Sequence, residues 1–133
     1  MNKAWLLLAL ILGSCTDPEK VKYEQYLVNG EKLYDQHCSN CHGSQGEGLR
    51  NLYPGIKNAE IFQNIPEFIC LIKNGRNAEH AKFESKQAMP SNRALYDLDI
   101  AQLSTYILNE FGSKEMLVGS EEVKSSLMEC VID

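Results

Sequence analysis

Aromatic residues are scarce in this 133-residue chain, at 8% with a single Trp. Basic residues are outnumbered: 13 Lys and Arg stand against 18 Asp and Glu, for a formal net charge of −5. That balance excludes a general nucleic-acid binder, which needs cationic side chains to neutralise phosphates. Long hydrophobic runs are missing too. The longest, residues 4–13, is about half of what a bilayer-spanning helix needs. Strand-like alternation of apolar and polar residues is also absent, which disfavours a sheet protein. With 44% hydrophobic and 23% charged residues, wholesale disorder is excluded, and the length suits one domain. What the chain does have is cysteine, five in all.

The first of these closes a leader. Met1-Asn2-Lys3 is a positive start, 4–13 is apolar, and small residues Gly13 and Ser14 precede Cys15. Such a sequence is the pattern of an export signal. Leu12-Gly13-Ser14-Cys15 also resembles the bacterial lipobox, in which the Cys becomes the lipidated first residue of the mature chain. A cleaved signal with an incidental Cys is the alternative. The expected organisation is a leader over 1–14, a lipidated Cys15 and polar tether over 15–22, a folded domain over 23–112 and an extension packed on it over 113–133. From Cys15 to Tyr23 the tether reaches at most about 28 Å, which holds the domain close to the membrane on the exported, periplasmic side. That compartment is oxidising, so Cys38, Cys41, Cys70 and Cys130 each need a bonded fate.

Cys38-Ser39-Asn40-Cys41-His42 is the attachment pattern of c-type haem. Each thiol adds to one vinyl group, and the adjacent His reaches the iron. A zinc site needs a second close ligand pair, and Cys70 and Cys130 are far apart in sequence. A thioredoxin-like pair follows a strand, and no strand pattern precedes this one. The residue types therefore point to one covalent haem c, with Cys38 and Cys41 as thioethers and His42 as an axial ligand.

A sixth iron ligand is expected from Met89-Pro90, in a polar, loop-like stretch over 84–93. Thioether sulfur is soft and favours ferrous iron. The rivals are His37, His80, Met116 and Met128. Arg50 is a candidate partner for a haem propionate.

Helical periodicity runs through the chain. Tyr23, Tyr26, Leu27, Gly30, Leu33 and Tyr34 form one stripe. Pro66 starts an apolar helix that Asn74-Gly75 ends. Asp97 reads as an N-cap and Gly112 as the stop of a helix carrying Ile100, Leu103, Tyr106, Ile107 and Phe111. The fold class expected is all-α, with three to four helices around the haem. Since so small a domain buries limited surface, the haem supplies much of the core and the apo-protein should fold poorly.

Set together, these residues resemble a class I cytochrome c over about 30–112. Gly30 and Tyr34 precede Cys38 by eight and four residues, Pro54 follows His42 by twelve, Met89-Pro90 stands in the distal loop, and Leu103 and Tyr106 lie on the last helix. The resemblance implies that the Pro54 carbonyl accepts the imidazole N–H of His42, and that the last helix packs on the first.

Assigning one Cys to lipid and two to haem leaves Cys70 and Cys130. A disulfide between them would fasten the tail and stabilise by about 4 kcal/mol in the chain-entropy model; two separate buried thiols are the alternative. The function expected is a one-electron carrier, membrane-tethered and not an enzyme. Its partners would be redox proteins such as a membrane-bound reductase, oxidase or dehydrogenase, with no nucleic acid and no small-molecule substrate. The alternatives are the haem subunit of a dehydrogenase or oxidase, and a peroxidase or gas-binding protein if Met89 leaves the iron.

Overall fold

The computed structural model describes residues 17–77 and 87–130. The leader, Cys15, His80 and the last three residues lie outside the described residues. Among those described, the chain is helical: α1 Pro18–His37, a single turn α2 Ser39–His42, a 3-10 turn Glu60–Gln63, α3 Ile65–Asn74, α4 Asp97–Glu110 and α5 Ser120–Met128. The all-α class holds, with no named strand among the described residues.

The first helix begins earlier than its apolar stripe. Asp17 Oδ1 accepts the Glu19 N–H at 3.1 Å, and Pro18 occupies the first helical position, where no N–H is missed. Residues Pro18–Lys22, expected in a tether, are therefore part of α1. The apolar stripe marks only where a helix is buried, whereas an Asp-Pro cap extends it into solvent.

Helix α1 crosses α4 where Gly30 lies against the other backbone. A Cβ at Gly30 would overlap the Gln102 carbonyl and Tyr106 Cβ. One turn on, Tyr34 is fully buried. Its ring centroid is 5.0 Å from Phe111 and 5.7 Å from Tyr106, spacings at which tilted aromatic pairs attract. Tyr23 closes the crossing by donating its hydroxyl to Asn109 Oδ1 at 2.7 Å.

Helix α3 is capped by Asn64, whose Oδ1 accepts the Glu67 N–H at 3.3 Å. Its apolar face buries Phe68, Ile69 and Ile72, and Phe62 stands edge-on to Phe68 at 5.0 Å.

Two sequence expectations for α4 are corrected. Tyr96, not Asp97, is the N-cap, and its N–H donates to Asp99 Oδ2 at 2.8 Å. An acidic residue three positions into the helix reaches back as well as a capping Asp reaches forward. At the other end Phe111 is the C-cap, and the left-handed residue is Ser113 (φ 51°) rather than Gly112. Gly112 is needed for closeness instead: a Cβ there would sit 2.6 Å from the Leu108 carbonyl and 3.1 Å from Phe62.

The segment beyond Gly112 is bonded into the domain. Asn109 Nδ2 donates to the Met116 carbonyl at 2.7 Å, and the Val118 N–H donates to Thr105 Oγ1 at 3.0 Å. Val118 and Val123 are fully buried, so α5 lies against both α3 and α4. Cys70 of α3 and Cys130, just past α5, form a disulfide with Cα atoms 5.8 Å apart.

Candidate functional site

The Cys-x-x-Cys-His segment is wound directly onto the end of α1. Cys38 caps that helix, its N–H donating to the Tyr34 carbonyl at 2.8 Å. The Cys38 carbonyl then accepts the N–H groups of Cys41 (3.1 Å) and His42 (2.9 Å), closing α2. Three residues make nearly one helical turn, which brings Cys38 and Cys41 close in space; Cys41 and His42 line the cleft described below, and Cys38 is buried behind them. Cys38 and Cys41 are not bonded to each other. Cys38 is buried, and burial, with Cys41 beside it, pushes its thiol up to about 12; it is a neutral thiol near neutral pH.

A loop over 43–48 then turns back. Tyr34 donates its hydroxyl to the Gly43 carbonyl at 2.6 Å, and burial raises the tyrosine's pKa so that the proton stays. Glu47 Oε2 accepts the Gln45 N–H at 2.8 Å. Backbone N–H groups of Glu47 and Gln45 hold that carboxyl below its ordinary value. The Gly48 N–H donates to the His42 carbonyl at 2.7 Å, and Leu49 and Tyr53 pair in an antiparallel bridge.

This loop places the Pro54 carbonyl 2.9 Å from His42 Nδ1. A carbonyl only accepts, so Nδ1 carries a proton, and in the neutral ring the lone pair is on Nε2. That is the tautomer a metal-binding imidazole needs, with its ring held by the second hydrogen bond.

His42 Nε2 belongs to a side chain lining a cleft of about 510 Å³. Pro54, Ile56, Ala59, Ile61 and Leu71 form much of its wall, and Met89 and Pro90 also line it. Of the described histidines and methionines, only His42 and Met89 line this cleft. His37 is exposed at the end of α1, Met128 is exposed on α5, and Met116 packs against the core. Met89 is carried by a two-bond bridge to Arg76: each N–H donates to the other's carbonyl at 2.9 Å.

Arg50 is exposed and does not line the cleft, whereas Arg76 does, 3.8 Å from Glu67. Sequence reasoning assigns no role to Arg76 or to Glu47. No spacing marks either one, because each finds its place through a turn rather than a helix period.

An unbonded thiol pair, a histidine whose Nδ1 is bonded to a carbonyl and a cleft with an apolar wall fit a covalently held haem. Residues 27–110 match the family model for cytochrome c. The chain is also similar to cytochrome c6 of Cyanidium caldarium, 27% identical over 108 residues that cover 79% of this chain and 90% of that one. The chain belongs to the cytochrome c family, as an electron-carrying protein with a covalently bound haem c.

Proposed function

We propose that the protein is a membrane-tethered one-electron carrier on the exported side of a bacterial membrane. Cys38 and Cys41 would hold the haem as thioethers, and His42 and Met89 would ligate its iron. The observation that carries this reading is the His42–Pro54 hydrogen bond at 2.9 Å, in a cleft that Met89 also lines. When bound, the haem supplies a one-electron ferric/ferrous couple. The chain's own residues bind and orient it. Pro54 keeps the His42 proton on Nδ1, which presents Nε2 to the metal and strengthens it as a donor. The Tyr34–Gly43 bond fixes the loop that carries Pro54. Ile56, Ile61 and Leu71 exclude water from one wall. Thioether sulfur at the sixth position favours the ferrous form and raises the reduction potential.

With His42 and Met89 both ligating, no coordination site would be left for a substrate. That supports a carrier over a peroxidase or gas-binding protein. The lipid at Cys15 and the leader over 1–14 are part of the same proposal. Since α1 begins at Pro18, three residues beyond Cys15, the domain would be held within about 10 Å of the lipid. A protein with 18 acidic and 13 basic side chains suits redox partners with a basic or apolar docking patch. A membrane-bound reductase, oxidase or dehydrogenase is the class expected.

The test is the absorption spectrum of the ferric holoprotein. A weak sulfur-to-iron band in the red, absent in Met89→Ala, is expected. A high-spin spectrum without it would overturn the carrier reading in favour of an open iron.

A further inference from the structure

The site does not explain why the chain carries a helix beyond Gly112, nor why that helix is fastened by a disulfide. The attachment point gives the clue. Cys70 lies on α3 one turn before Lys73, and the end of α3 is strapped to the segment that bears Met89. Lys73 Nζ donates to the carbonyls of Arg93 (3.1 Å) and Leu95 (2.6 Å). The Asn92 N–H donates to the Lys73 carbonyl at 3.1 Å, and Asn92 Nδ2 to the Ile72 carbonyl at 2.9 Å. Arg76 and Met89 exchange two further backbone bonds. Gly75, with φ 71°, lets this pairing close: a Cβ there would overlap the Met89 carbonyl. The backbone of Met89 is therefore held from α3, and α3 is held in turn by α5 through Cys70–Cys130 and the packing of the two helices, with Val123 buried in the core.

We propose that the Cys70–Cys130 disulfide and α5 behind it are positioning elements for Met89, acting through α3 and Lys73. The proposal rests on Met89 being an iron ligand. An added ligand that competes for the sixth position must first free Met89 from this support. The cost of freeing it enters the competitor's apparent affinity. Loosening the support lowers that cost, whereas weakening an unconnected part of the fold does not.

The probe is imidazole, titrated into the full-length ferric holoprotein while the red band is followed. In C70S/C130S the apparent Kd for imidazole is expected to fall about tenfold, the size of coupling found between groups of one network. Lys73→Met is expected to lower it as well. In the Lys73→Met background, removing the disulfide should then lower the Kd by a smaller factor, because the side-chain strap from α3 to Arg93 and Leu95 is already gone while the backbone bonds remain. Asp17→Ala, which removes the N-cap bond of α1, should leave the Kd unchanged. An equal Kd with and without the disulfide overturns the proposal. So does the same fold-change in both Lys73 backgrounds, or an equal fall in Asp17→Ala. Should C70S/C130S fail to assemble, Val123→Ala loosens α5 with the disulfide intact, and an unchanged Kd there overturns the proposal equally. A red band that survives Met89→Ala, or is absent from the wild type, removes the Met89 assignment and the proposal with it. A Met89-dependent band with an unmoved Kd removes the proposal alone.

Discussion

Tyr34 reaches from inside α1 to the carbonyl of Gly43, 2.6 Å away. One side chain thus ties the first helix to the loop that follows His42, while its ring packs against Phe111 and Tyr106. Tyr34→Phe keeps the ring and deletes the bond, leaving a carbonyl without its donor. Unfolding of the holoprotein in denaturant should show a loss of about 1–2 kcal/mol. Because burial raises this tyrosine's pKa, the loss should be the same at pH 6 and pH 9.

Glu47 makes the same loop acid-sensitive. Its folded pKa is depressed from 4.5, chiefly by backbone N–H groups that bond the carboxylate. A depressed carboxylate stabilises the fold above its unfolded pKa, and that stabilisation is lost as pH falls through the lower folded value. Stability should therefore drop on acidification below about 4.5, and the drop should be shallower in Glu47→Gln. Identical acid limbs in the two proteins would show that the bond contributes nothing.

The α1–α4 crossing tolerates no side chain at Gly30. Gly30→Ala sets a methyl group against the Gln102 carbonyl, so the helices must part. A cost of about 1–3 kcal/mol is expected from such overpacking, read as a lower thermal midpoint of the holoprotein.

Ser104 is fully buried on α4, and its hydroxyl has no hydrogen-bond partner among the described residues. Replacing it with Ala removes an unpaired polar group, so Ser104→Ala should be neutral or stabilising by up to about 1 kcal/mol. A clear loss of stability would show that a partner exists.

Removing the haem exposes the walls of a cleft of about 510 Å³ in a domain too small to lose that much buried surface lightly. The apo-protein should lack a cooperative thermal transition in circular dichroism. A sharp transition would show that α1, α4 and α5 are self-sufficient.

Much of the site is readable from residue spacing because its chemistry is local. Cys38, Cys41 and His42 fall within one helical turn, so the spacing itself brings them together. The stripe through Tyr26, Gly30 and Tyr34 marks the face that α4 covers, since helix periodicity is a property of the chain alone. Met89 was legible only as a ligand type at a suitable place. Its route to the cleft runs through the bridge to Arg76 and the Lys73 and Asn92 bonds, and these join residues up to 22 positions apart.

The amino-acid sequence by itself determined the haem chemistry, the helical class and the faces that pair. Each depends on residue type and on periods of three or four residues. Only the tertiary structure decided the rest: that Tyr96 caps α4, that Ser113 takes the left-handed turn, that Glu47 holds a loop and Arg76 the rim of the cleft, and that the tail is fastened behind the Met89 segment. Those outcomes depend on which backbone groups are left unpaired once the helices have docked. No local pattern records that, because the partners meet only in the folded chain.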